Sequence, residues 1–108
     1  MRKHRLVSDF NYDSWKAKIA ALEIANEVGG EITQLISEKP LTASQISEKL
    51  NLPISTVLFH VTRLETIGLA KIYHGYGKRL RDIKYYSVTS SKIVFKLSGG
   101  EEENEKKQ

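Results

Sequence analysis

The sequence predicts a mainly α-helical domain closed by a two-stranded β-hairpin, a small α+β fold. Three observations carry this prediction. Stretches between residues 15 and 67 place apolar side chains at three- and four-residue spacing, the period of a helix face. The last two stretches are joined by only Asn51-Leu52-Pro53, which forces a tight helix-to-helix corner. After Gly68 the pattern changes to two runs rich in aromatic and β-branched residues, separated by a basic loop with two glycines.

The first helix is expected from about Trp15 to Ala25. Asp13 or Ser14 supplies an acceptor for its free N–H groups, and Trp15, Ile19, Leu22 and Ala25 fall on one helical face. The second helix ends near Lys39, before Pro40, with Ile32, Leu35 and Ile36 as its apolar stripe. Its start has two readings. Asn26 caps it and Gly29-Gly30 lie in the first turns, which is preferred, or the glycine pair is itself the break.

The third helix is the best marked. Thr42-Ala43-Ser44-Gln45 is a capping box, in which the Thr42 oxygen accepts the Gln45 N–H and the Gln45 side chain reaches back. Ala43, Ile46 and Leu50 face inward. Asn51 tolerates the left-handed conformation of a tight turn, Leu52 plugs that turn, and Pro53 sets the backbone angle for a new helix. The fourth helix runs to about Ile67 with Val57, Val61 and Leu64 inward, and Gly68 ends it.

Residues 69–74 and 83–88 read as the hairpin strands, and 75–82 as its loop. Residues 90–97 fit a helix or a strand equally. Residues 98–108 contain no apolar side chain and are expected to be a disordered acidic tail. The folded domain is therefore placed at 14–97, with 1–13 as an N-terminal extension. Three helices, a short turn, a fourth helix and a basic hairpin together describe a winged helix-turn-helix.

Composition narrows the function classes. The chain has 108 residues, 40% of them hydrophobic, enough for one small core. With no cysteine there is no disulfide scaffold, thiolate zinc site or cysteine nucleophile, as suits a reducing cytoplasm. No apolar run approaches membrane-spanning length, and the basic N-terminus lacks the apolar stretch of a secretory signal. The formal charge of +4 is unevenly spread: residues 70–97 carry seven basic side chains against Asp82 alone. A concentrated basic patch is the footprint of a polyanion.

The run from Leu41 to Leu69 resembles the helix-turn-helix of ArsR-like (arsenic-repressor-type) winged-helix regulators. The matching features are Leu50 and Leu52, then Ser55-Thr56-Val57, His60, Leu64 and Gly68-Leu69, with the tyrosine pair Tyr85-Tyr86 further on. The resemblance covers about residues 20–90. It implies a homodimeric, sequence-specific transcription regulator. The Cys-x-Cys of the metal-sensing members is replaced by Thr42-Ala43-Ser44, so metal sensing is not carried over, and no cofactor or metal is expected.

The residues themselves nominate a DNA surface. With Val57, Val61 and Leu64 inward, Ser55, Leu58, Phe59, Thr62 and Arg63 lie around the other side of the fourth helix. Ser55 and Thr56 either hydrogen-bond to bases and phosphates or cap the helix. Leu58 and Phe59 either touch thymine methyl groups or include one core residue. Arg63 either reaches a phosphate or pairs with Glu27 or Glu65. In the hairpin, Lys78, Arg79 and Arg81 would follow the phosphate backbone or enter a minor groove, with Lys71 and Lys84 adding to the field. Tyr73, Tyr76, Tyr85 and Tyr86 read as hairpin packing rather than base-stacking platforms, and Arg2, Lys3 and Arg5 as a solvated terminus.

Nothing nominates catalysis. His4, His60 and His74 lie in three different elements without ligand spacing, and His60 reads as a structural histidine. The main expectation is a regulator that binds double-stranded DNA. The alternative is a winged helix used for protein–protein interaction, which Leu58 and Phe59 would suit. Phe10, Tyr12, Trp15 and Ile93-Val94-Phe95 need cover, so a two-fold dimer through the first helix and both terminal segments is expected.

Overall fold

The computed structural model describes residues 7–77 and 81–97. In chain order these form β1 (Ser8–Asn11), α1 (Trp15–Ala25), α2 (Glu27–Glu38), α3 (Ala43–Leu50), α4 (Ile54–Thr66), β2 (Ala70–Tyr76), β3 (Asp82–Val88) and β4 (Ile93–Lys96).

Local chemistry sets the helix boundaries. Ser14 Oγ accepts the Ala17 N–H at 3.1 Å and opens α1. Asn26 separates α1 from α2, and its side chain accepts the Gly29 N–H at 3.0 Å. Gly29 and Gly30 thus lie inside α2, as the Asn26-cap reading requires. Both bonds of the Thr42–Gln45 capping box form, at 3.1 and 2.9 Å. Asn51 takes the left-handed conformation at φ 56° and turns the chain from α3 into α4. Gly68, at φ 85°, releases α4 into β2.

The core is made by the predicted stripes. Ile32 and Ile36 of α2, Ile46 of α3 and Val57, Val61 and Leu64 of α4 are all buried, joined by Leu41, Ile67, Leu69 and Val88. Each such side chain contributes about 1.5–3 kcal/mol on burial, so the stripes decide how the helices turn. In α1 the packing side is the small one: Ala17 and Ala20 are buried together with Glu23. Of its apolar face, Trp15 is 58% and Leu22 64% exposed, while Ile19 packs partly on the core. Small residues let α1 lie close to its neighbours. At Gly29 an added Cβ would stand 2.3 Å from the Glu23 carbonyl oxygen.

β2 and β3 pair antiparallel from Ala70↔Val88 to Tyr76↔Asp82, with Tyr73 opposite Tyr85. The strands run further than the sequence pattern marks, so the connection is shorter. Leu41 and Tyr86 exchange two backbone hydrogen bonds at 3.1 and 2.7 Å, tying the α2–α3 link to the hairpin base. Residues 93–96 resolve as strand, paired in parallel with residues 8–11. That pairing brings part of the expected N-terminal extension onto the domain. Phe10 and Phe95 stack there with centroids 5.9 Å apart.

Candidate nucleic-acid interface

With its apolar stripe held in the core, α4 turns a second face outward. Ser55 and Thr62 are exposed on it, Leu58 is 41% and Phe59 57% exposed, and Thr56 is half-buried. Ile54, at the start of the helix, is exposed too and was not singled out by the sequence. Neither Leu58 nor Phe59 belongs to the core. The N-cap position is Pro53, and no side chain caps the helix. The Ser55 and Thr56 hydroxyls therefore do not serve as caps.

Arg63 and His60 share a partner that the sequence did not name. Glu23 of α1 is 2% exposed. Its Oε1 accepts from Arg63 Nε at 2.7 Å, and its Oε2 accepts from His60 Nδ1. Arg63 is paired with Glu23, then, and not with Glu27 or Glu65. The guanidinium also lies 5.2 Å from the centroid of the Phe59 ring, and His60 meets that ring edge-on at 5.2 Å. A buried carboxylate on α1 thus fixes two residues of α4, and both hold Phe59 at the exposed face. The available signal was the spacing of Ala17, Ala20 and Glu23, which places Glu23 on the face of small residues.

The hairpin, whose β2 strand packs on α4, carries further charge. Arg81 and Lys84 are exposed, and the Gly77 N–H donates to the Arg81 carbonyl at 2.9 Å across the loop. Asp82 pairs with His74 at 3.1 Å. Lys78 and Arg79, the other two wing candidates, lie outside the described residues. Lys71 is half-buried, with its ammonium 5.2 Å from the Tyr73 ring centroid. Lys92 and Lys96 belong to the β4 region, so the basic segment 70–97 is shared between the hairpin and a second ribbon. Tyr86 is buried, Tyr73 and Tyr85 are half-buried cross-strand partners, and Tyr76 is exposed. Burial, and then the charge of Glu65, raise the Tyr86 hydroxyl above its ordinary pKa of 10.0.

An open cleft of about 430 Å³ lies between Thr33, Gln34 and Ser37 of α2 and Ser90, Ser91 and Ile93, and no residue of α4 lines it. Among the described residues no cluster of three or more His, Asp or Glu could hold a metal, and no helix is long and apolar enough to cross a membrane.

Comparison with known proteins bears on the fold. A protein family described as a helix-turn-helix domain matches residues 24–72. A search of curated proteins finds no match. Among solved structures, HlyU from Vibrio cholerae is similar at 22% identity over 76% of this chain and 84% of that one, with a TM-score of 0.56. The homodimeric winged helix-turn-helix DNA-binding domain of Mb0332 from Mycobacterium bovis, a possible ArsR-family transcriptional regulator, aligns at 16% identity over 69% and 65% of the two chains, with a TM-score of 0.58. The cadmium sensor CMTR from Mycobacterium tuberculosis aligns at 20% identity over 68% and 72%, with a TM-score of 0.51.

Proposed function

We propose that this chain, whose architecture is the ArsR-type winged helix-turn-helix, is a transcription regulator that binds double-stranded DNA as a homodimer in the cytoplasm. One observation carries the reading. α4 presents Ser55, Leu58, Phe59 and Thr62 outward, is anchored to Glu23 through His60 and Arg63, and packs on a hairpin that exposes Arg81 and Lys84. In the proposed complex α4 enters a major groove by its N-terminal end. Ser55 and Thr56 then meet base edges or phosphate, and Leu58 and Phe59 meet thymine methyl groups. Arg63 keeps its Nε on Glu23 and offers its remaining N–H groups to a phosphate. Lys78, Arg79 and Arg81 follow the backbone or enter a minor groove.

The dimer forms through the exposed side of α1, where Tyr12, Trp15 and Leu22 lie, with the β1 and β4 segments beside it. Its two α4 helices would meet successive major grooves about 34 Å apart on a roughly palindromic site. The homodimeric state of the Mycobacterium bovis domain supports this assembly. Electrophoretic mobility shift with a random duplex pool at two salt concentrations tests the reading. Binding that weakens steeply with salt is expected, and selection from the bound pool gives the site. No shift at low salt would overturn the reading and leave the Leu58–Phe59 face to a protein partner.

A further inference from the structure

The ribbon of β1 and β4 has one edge partly occupied at its end and one edge open. In its parallel register Ser8 lies opposite Ile93 and Phe10 opposite Phe95. The Ser8 N–H donates to the Lys92 carbonyl at 2.8 Å, and the Tyr12 N–H to the Lys96 carbonyl at 2.9 Å. Backbone groups alternate sides along a strand. Lys92, Val94 and Lys96 therefore turn theirs toward β1, and Ile93, Phe95 and Leu97 turn theirs away. On the far side of β1 the Asn11 carbonyl already accepts from Ser14 N and Ser14 Oγ, at 3.0 and 2.8 Å, while the Asp9 carboxylate lies 3.9 Å from Lys96 Nζ of β4. On the far side of β4 no described residue pairs with the strand. The β3 edge, by contrast, is covered at its base by Leu41.

A two-stranded ribbon is marginal alone, and an open apolar edge invites another strand. Val94 and Phe95 are each 38% exposed and Leu97 is 76% exposed. We propose that the open edge of β4 pairs antiparallel with the same edge of a second copy. Phe95 then sits on the two-fold axis, and two ribbons join into one four-stranded sheet. This rests on the dimer proposed above and specifies how its β segments meet. The occupant is a second copy because the edge is self-complementary. With Phe95 opposite Phe95, Ile93 lies opposite Leu97 of the second copy and covers it, and Val94 lies opposite Lys96 of the second copy. Centring the pairing on Val94 instead would set Lys92 against Lys96, a like-charge pair, and leave Leu97 facing Ser91. The edge is also continuous with the α1 face, since Tyr12 is bonded to β4 through Lys96 and Ile24 lies across the cleft from Ile93.

The chain contains no cysteine, so single-cysteine variants report the register directly. Light scattering of the unmodified chain comes first. Then Val94→Cys, Phe95→Cys and Lys96→Cys are oxidised under identical mild conditions. Directly opposed residues of an antiparallel pair lie about 5.5 Å apart at Cα, within disulfide reach, whereas the flanking positions lie more than about 7 Å from their own copies. Phe95→Cys is expected to give linked dimer at least tenfold faster than either neighbour. A dimer in which the three rates agree would overturn this pairing and leave the dimer reading intact. A monomer at micromolar concentration would overturn both. If Phe95→Cys fails to fold, amide exchange of the unmodified dimer decides. Protection of the Phe95 and Leu97 N–H groups that grows with protein concentration is expected, and free exchange at both would overturn the pairing.

Discussion

Glu23 shows how much one buried carboxylate can organise. A charge removed from water costs several kcal/mol unless it is paired and hydrogen-bonded, and Glu23 achieves this with Arg63 and His60. Glu23→Ala leaves both partners without their acceptor and should cost roughly 3–5 kcal/mol, a large share of a small domain's stability. Arg63→Ala should cost less, because the arginine side chain is 33% exposed and water replaces part of what it loses. Urea unfolding of the two variants checks the order, and an Arg63→Ala variant as stable as the parent would show that Arg63 does not serve Glu23. Gly29 belongs to the same arrangement. Alanine is the better helix former by about 1 kcal/mol. At this position, however, its methyl would meet the Glu23 carbonyl oxygen at 2.3 Å and the carboxylate at 2.8 Å. Gly29→Ala should therefore lower stability by about 1–3 kcal/mol, seen as a reduced Tm. An unchanged or raised Tm would mean that α1 and α2 separate there at little cost.

Elements whose chemistry is local were legible in the sequence. Of the alternatives the sequence offered, Ser14 rather than Asp13 caps α1 and Asn26 rather than a glycine break opens α2; with the Thr42–Gln45 box, left-handed Asn51 and Gly68, each fixes a boundary through bonds within five residues. The stripes of α2, α3 and α4 followed from period alone. What escaped was non-local. β1 has four residues, one of them apolar, and becomes a strand only by pairing with a segment more than 80 residues away. The packing side of α1 escaped because it consists of two alanines and a glutamate, with no large apolar residue to mark it. In the candidate interface the outward residues of α4 could be read from the stripe, whereas the grip of Glu23 on Arg63 crosses 40 residues. The hairpin supplies its own test. Tyr86 sits at its base with a hydroxyl pKa raised above 10.0 by burial and then by Glu65. The folded state thus favours the neutral phenol. This stability is complete below pH 10 and is lost as pH rises through the folded value. Tyr86→Phe should flatten the alkaline decline while changing neutral-pH stability little, as pH-resolved thermal melts would show. A parallel decline in both proteins would place the alkaline loss elsewhere.

At the scale of the whole molecule, charge and shape are assigned to different parts. α4 carries only Arg63 and Glu65, and the arginine keeps its Nε on Glu23 and has its remaining N–H groups for one phosphate at most, so this helix has little general attraction for phosphate. The hairpin concentrates cations with little base-reading chemistry. Affinity for any duplex should then come from the wing, and discrimination between duplexes from the helix. Changing Arg79 and Arg81 together to Ala should weaken specific and random DNA alike. It should also flatten the salt dependence by up to about two phosphate contacts, because each neutralised phosphate releases condensed counterions. Changing Ser55 or Phe59 to Ala should leave the salt slope in place and shift the ratio of specific to random binding by about 1–3 kcal/mol for a residue that reads a base. For Phe59 the loss should appear at thymine positions, since its ring is presented outward by His60 and Arg63. Salt titrations of the three variants on a selected and a random duplex separate the two roles. A wing variant that binds random DNA as tightly as the parent would make the basic hairpin a solvated surface. The outward Leu58 and Phe59 would then be better explained by a protein partner, because exposed apolar side chains do not themselves draw in a polyanion.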